Sequence, residues 1–488
     1  MSFRFDHRLG VRPRMTRPLL LLCALACAPV LAHPASAFAV AGVTRTSGSS
    51  RAPGTPASSP YPAGATRPAR IAKPSEYAHA ATTAPTGGST APSSGSSAPA
   101  GGSPKSTSGS SKSTGSSKSS AKTKPKPKPV LHGNPARALA AFEAMQRVFY
   151  IPGSGLYQGE PFSFLWPFSQ ALAATVTINN MTGIGVIPGL TATLKREQNA
   201  RLVGLQTYLD TDNSGAPEGT FTSTLAAYDG TVAPPAGPGG AKYYDDNEWV
   251  GIELVRIYEQ THYAATLGSA EAIMAFVMAG WDTNPEHVCP GGVPFSNSPE
   301  VSERNTVTNG PAAELAVKLF ELTHNAAYLQ FAEQAYEWVR RCLTESNGLY
   351  ADHIGAHGKV EPAEWSYNQG AMIGAGTLLY QATHNGAFLW EARQTAKAAL
   401  AYYTPERLGS ENPFFVSVYF RNILYLDSVT HDPPGQKLAQ AYVNYAWEHE
   451  RLSDNIFVFG SPASSQLLYQ AAIVQIYGLL SSPPSTYF

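Results

Sequence analysis

Cysteine is scarce in this chain. Four occur in 488 residues, and two of them, Cys23 and Cys27, fall in the N-terminal segment. Only Cys289 and Cys342 remain, too few for a disulfide-framed fold or a zinc site of paired cysteines. Either they pair, worth about 2–4 kcal/mol, or they sit as two buried thiols. Charge is also sparse, with Asp, Glu, Lys and Arg at 14% of residues. His353 and His357 stand four apart, but Gly355 and Gly358 argue against a helix that would aim both at one metal, so they read as loop residues. Beyond the N-terminus there is no apolar run long enough to cross a bilayer.

What is present falls into three parts. Residues 1–37 read as a secretory signal: Arg4, Arg8, Arg12, Arg14 and Arg17 precede the apolar stretch from Pro18 to Ala32, and Ala35-Ser36-Ala37 supplies a small-residue cleavage site. Residues 38–132 are rich in Ser, Gly, Thr, Pro and Ala and almost devoid of large aliphatics. Such a segment cannot bury enough apolar surface to offset chain entropy, so it reads as a disordered linker. Residues 133–488 form the folded domain.

The neutral overall charge hides an asymmetry. Residues 1–130 carry 17 Lys and Arg against Asp6 and Glu76, leaving 18 basic against 33 acidic residues in the remainder. An acidic folded part disfavours nucleic acid or another polyanion and fits a neutral substrate. The basic linker suits loose association with an anionic envelope, and equally a soluble spacer.

From about residue 135 the pattern is helical. Twelve candidates stand out: 136–150, 164–179, 192–208, 245–260, 266–281, 308–323, 327–344, 367–382, 386–403, 414–429, 435–450 and 463–481. Two kinds alternate. Segments 327–344 and 386–403 are apolar on one face, whereas 249–258, 367–380 and 467–480 are apolar nearly all round and must be enclosed on two sides. Outer amphipathic helices around inner buried ones satisfy both demands, and six hairpins make an all-α (α/α)6 toroid. A weak repeat agrees. Thr261-His262-Tyr263, Thr323-His324-Asn325, Thr383-His384-Asn385 and Thr430-His431-Asp432 each end a candidate inner helix, which makes the four histidines turn residues. The long connections 209–244, 282–307, 345–366 and 404–413 then gather at one end, where sites are usually built.

At that end stands Tyr243-Tyr244-Asp245-Asp246-Asn247-Glu248-Trp249. Acids in a first turn suit helix capping and the macrodipole, which is the plain reading. The helix that follows is apolar, however, so Asp245 and Asp246 would face an enclosed space. Paired carboxylates in an enclosed, aromatic-lined site are what glycoside hydrolysis requires. Asn309, Asn368 and Gln369 open other inner helices and need partners, either backbone or a ligand. Aromatics there can stack on sugar faces, and amides can bond hydroxyls.

The order of motifs resembles glycoside hydrolase family 76, the endo-α-1,6-mannanases. The resemblance is carried by Leu165-Trp166-Pro167, Tyr244-Asp245-Asp246-Asn247-Glu248-Trp249, Gly291-Gly292, Asn305-Thr306-Val307-Thr308-Asn309-Gly310, Tyr367-Asn368-Gln369-Gly370, Arg421 and Gln470-Ala471-Ala472. It covers roughly residues 136–482. It implies an (α/α)6 toroid and a retaining mechanism in which Asp245 is the nucleophile and Asp246 the general acid/base, with no cofactor. Tyr244, Trp249, Asn305, Asn309, Tyr367, Asn368, Gln369 and Arg421 become candidate substrate contacts. Val293-Pro294-Phe295 and Val416-Ser417 depart from the family's pattern and would alter sugar subsites. Transglycosylation by the same pair, a non-catalytic glycan-binding toroid and another (α/α)6 activity are the competing expectations.

Overall fold

The computed structural model describes residues 130–211, 225–459 and 466–488. The signal reading of 1–37 and nearly all of the linker reading of 38–132 lie outside the described residues. Among the described residues thirteen α-helices run in order: α1 (Gly133–Phe149), α2 (Leu165–Asn180), α3 (Leu190–Leu205), α4 (Tyr244–Thr261), α5 (Ala264–Ala279), α6 (Thr306–Thr323), α7 (Ala326–Leu343), α8 (Ser366–Thr383), α9 (Gly386–Tyr402), α10 (Pro405–Ser410), α11 (Pro413–Thr430), α12 (Pro434–His449) and α13 (Gln466–Leu479).

Twelve of these are the helices the periodicity predicts, with ends differing by a few residues. The exception is α10, inside a segment expected to be loop. It is six residues long, with Thr404 accepting the Arg407 N–H and Pro405 at its first turn. That is a capped start with no room for a repeating apolar stripe.

Inner and outer helices differ as their sequences require. Every residue of α4 from Tyr244 to Ile257 is buried, as is every residue of α13 from Leu467 to Leu479. In α7 the buried set is Tyr328, Phe331, Ala332, Ala335, Tyr336, Trp338, Val339 and Leu343, a single stripe. The six inner helices pack neighbour to neighbour, α2 on α4, α4 on α6, α6 on α8, α8 on α11, α11 on α13 and α13 back on α2. The ring is closed: an (α/α)6 toroid. Helix α1 supplies the outer partner of α13, so the first helix completes the last hairpin. Close approach inside the ring needs small residues. A Cβ on Gly370 would meet the Tyr419 backbone at 2.6 Å, which ties α8 to α11.

The Thr-His repeat has one geometry. His262, His324, His384 and His431 cap α4, α6, α8 and α11 in the left-handed region, at φ 52°, 55°, 56° and 55°. Each preceding threonine hydroxyl bonds back to a carbonyl four residues earlier, at 2.7–2.9 Å. Asn325 and Asn385 then accept the N–H of Ala327 and Ala387 to start α7 and α9. One cap thus ends an inner helix and two residues later the next outer helix begins.

Short strands tie the loops at the other end. β1 (Leu209–Asp210) pairs antiparallel with β2 (Ala227–Tyr228), and β4 (His353–Ile354) pairs antiparallel with both β3 (Arg304–Asn305) and β5 (Val360–Glu361). Buried cations hold these loops. Lys242 bridges Asp210 at 2.8 Å and Asp229 at 3.1 Å. Arg304 donates to Asp282 and to the carbonyls of Val288, Cys289, Gly291 and Gly355. Cys289 and Cys342 are joined by a disulfide, with Cα atoms 6.1 Å apart, fastening the same loop to α7.

Candidate active site

Asp245 and Asp246 are the second and third residues of α4, where the inner helices begin. Their relative exposures are only 6% and 8%. Burial pushes Asp245 up to about 7 against the backbone N–H groups of Asp246 and Asp245 itself, which favour its anion; the charge of Asp352 pushes it further up. Asp246 is held well above the usual carboxylate range, first by burial and then by the charge of Asp245. Two buried carboxyl groups this close do not both ionise readily, so the pair favours the state that holds one proton.

Asp352 is a third acid that the sequence reading did not single out. Its Oδ1 accepts from Asn368 Nδ2 at 3.0 Å, and its Oδ2 lies 2.9 Å from His353 Nδ1. The hydrogen bond to Asp352, more than any other influence, raises the His353 pKa. Asn368 thus holds Asp352, whose charge acts on Asp245. Its own Oδ1 is buried without a partner, as is Asn305 Oδ1 at the N-cap of α6.

The structure reassigns several expected substrate contacts. Asn309 Oδ1 accepts the Val293 N–H, while its Nδ2 donates to the Val293 and Asn305 carbonyls. Gln369 does the same to Tyr350, with a further bond to the Trp365 carbonyl. Both amides are saturated by backbone, so they are loop clamps. Asn247 repeats the clamp on Tyr228, and Gln470 repeats it on Phe457 N–H with Asn455 and Ala141 carbonyls. Four inner helices thus use an amide in their first turns to hold the loops around the site.

Tyr244 is core: its ring stacks on Phe276 of α5 at 4.5 Å. Arg421 pairs with Glu253, two turns along α4 from the acids, because a guanidinium inside the ring needs a buried carboxylate. Trp249 packs against Trp166 at 6.0 Å, and its indole N–H is buried without a partner. Phe414 meets Trp166 edge-on, and Tyr367 stacks on Phe415 at 4.1 Å. Trp166, Tyr367, Phe414 and Phe415 are half-exposed at the starts of α2, α8 and α11. They form an aromatic wall at the acid-pair end of the toroid, suited to the apolar face of a sugar ring. Among the described residues no group of three or more His, Cys, Asp and Glu is arranged to hold a metal ion. A surface cleft of about 410 Å³, lined by Trp281, Gln334, Glu337, Trp338 and Arg341 among others, shares no residue with this site.

The chain is similar to known proteins in sequence and in fold. The family model described as Glycosyl hydrolase family 76 matches residues 208–419. The mannan endo-1,6-alpha-mannosidase DCW1 of Saccharomyces cerevisiae is 32% identical over 133 residues, 25% of this chain and 28% of that protein. Its counterpart in Candida albicans is 26% identical over 196 residues, 37% of this chain and 40% of that protein. The chain thus spans less than half the length of these curated relatives. Among solved structures, the family 76 mannosidase Bt3792 of Bacteroides thetaiotaomicron VPI-5482 superposes with a TM-score of 0.61 at 20% identity, covering 71% of this chain and 98% of that one. An inactive variant of an alpha-1,6-mannanase of Salegentibacter sp. HEL1_6, in complex with alpha-1,6-mannotriose, superposes with a TM-score of 0.56 at 19% identity over 71% of this chain and 100% of that one. Residues 208–419, which hold both acids and three of the four amide clamps, match that family model, in agreement with the resemblance that the motifs carry.

Proposed function

We propose that the protein is a retaining glycoside hydrolase that cleaves α-1,6-mannosidic bonds in a mannan-type glycan. The observation that carries this reading is the acid pair itself: two adjacent, deeply buried aspartates in the first turn of an inner helix. The Asp245 carboxylate attacks the anomeric carbon as the glycosidic C–O bond breaks. The Asp246 proton passes to the departing oxygen, leaving a mannosyl ester on Asp245. Asp246, now anionic, takes a proton from water as that water adds to the anomeric carbon and releases Asp245. Asp352 faces the pair, and the aromatic wall binds sugar rings. Alpha-1,6-mannotriose bound to a structural neighbour supports a manno-oligosaccharide as the ligand.

We also read the chain as exported, on the strength of residues 1–37, with the basic linker lying outside the domain. No helix among the described residues is long and apolar enough to cross a membrane. The test is product release from unbranched α-1,6-mannan by the full chain. Short manno-oligosaccharides from wild type, and none from Asp245→Asn or Asp246→Asn, are expected. Equal release from the variants would overturn the assignment.

A further inference from the structure

Glu248 follows Asp245 by three residues on α4, which puts both side chains on one face of the helix. It is fully buried, and neither carboxyl oxygen has a hydrogen-bond partner. Every titratable group acting on it is an acid: Asp245 and Asp246 on its own helix and Glu314 on α6. Tyr244, which feels the charge of Glu248 in turn, is a phenol and no counter-ion. An ionised carboxylate there would be a buried, uncompensated charge, so the group is carried as the neutral acid.

Glu314 on α6 is also fully buried and held well above the usual carboxylate range by burial, while the charge of Arg421 and a hydrogen bond with Asn422 favour its anion. Arg421 and Asn422 face it from α11. A proton on Glu248 needs an acceptor, and Asp245 Oδ1 is a buried oxygen without a donor.

We propose that Glu248 is a positioning residue, a neutral carboxylic acid whose O–H donates to Asp245 Oδ1 and holds that carboxylate in one rotamer for attack. The inference rests on Asp245 and Asp246 being the reacting pair. In the working state the cluster of Asp245, Asp246 and Glu248 then carries one negative charge, on Asp245. The donated bond favours the Asp245 anion and works against burial and the charge of Asp352.

Two readouts test this. The first is the pH dependence of kcat/KM on an α-1,6-manno-oligosaccharide. Glu248→Leu removes the donor, and the acid limb should move up by about one pH unit, a roughly tenfold loss well below it. Glu248→Gln keeps an N–H donor of nearly the same shape, and the limb should return close to wild type. An ionised Glu248 predicts the opposite sign, since both variants would then lower the limb. That result, or an unmoved limb in Glu248→Leu, would overturn the proposal. The second readout needs no turnover. A protonated carboxyl C=O absorbance in the infrared at neutral pH should shrink in Glu248→Gln, and an unchanged absorbance would overturn the neutral acid. A wild type inactive on mannan counts against the catalytic reading, while the infrared band still decides the proton on Glu248.

Discussion

In the C-terminal half of α4, Glu253 accepts from two guanidinium groups, Arg421 of α11 and Arg256 one turn along its own helix, the latter at 2.6 Å. Arg256 is further tied to the Thr486 carbonyl and the Thr177 hydroxyl, and the Phe488 ring lies 5.9 Å from Arg421. In the N-terminal half, Asp245, Asp246 and Glu248 are as deeply buried but have no cation paired with them among the described residues. One helix thus holds compensated and uncompensated charge. The compensated half closes the floor of the ring. The uncompensated half costs stability, and such strain is kept where protons must be held and moved.

The sharpest way to break this contrast is to neutralise each half in turn. Asp245→Asn and Asp246→Asn should each lower turnover by about 10³-fold or more, in line with the loss of a catalytic acid or nucleophile. Both should leave the midpoint of thermal unfolding unchanged or higher, because a buried titratable carboxyl group of the pair is replaced by a neutral amide. Glu253→Ala should behave oppositely. It strands two buried guanidinium groups and should destabilise by about 3–5 kcal/mol, measured by denaturant unfolding. A stable Glu253→Ala protein would mean that the floor is less dependent on its ion pairs than the geometry indicates.

A smaller effect belongs to the clamps. Asn309→Ala leaves the Val293 N–H and carbonyl unpaired in a buried loop and should cost about 1–3 kcal/mol. Activity should suffer through the loop, with KM affected more than kcat if the loop lines a sugar subsite. The smallest effect is a slope in pH. Asp245 and Glu411 are pushed up to about 7, and Asp229 and Asp427 to about 6, in each case chiefly by burial. Their folded values exceed their unfolded ones, so their contribution is fully present below the unfolded values and is lost as pH rises through 6 to 7. Stability should fall between about pH 4 and 7 by about 1.4 kcal/mol per pH unit for each proton of difference. Asp245→Asn should flatten part of that slope. A flat or rising curve would contradict the burial assigned to these acids.

Much of this was legible in the residues. Apolar periodicity separates inner from outer helices because 3.6-residue spacing records directly which faces are covered. The Thr-His repeat marks the turns because a cap needs particular side chains at fixed positions. The site was less legible. Asn309 and Gln369 look like sugar-binding amides, since an amide at the mouth of an apolar helix demands a partner. Sequence cannot say that the partner is the backbone of Val293 or Tyr350. Arg421 was misplaced for a similar reason: its partner Glu253 lies 168 residues away. Asp352 and Glu314 carry no local motif, and only the folded ring brings Asp352 close enough to act on Asp245 and Glu314 on Glu248. The short helix α10 lacks the length to show a period.

The most direct test of the central claim is to trap the ester. Asp246→Asn removes the base that releases the enzyme, while an aryl α-1,6-mannobioside needs little acid to react. Quenched and digested, that variant should carry a mannobiosyl mass increment on the peptide containing Asp245. An unmodified Asp245 peptide, together with product of inverted anomeric configuration, would contradict the account.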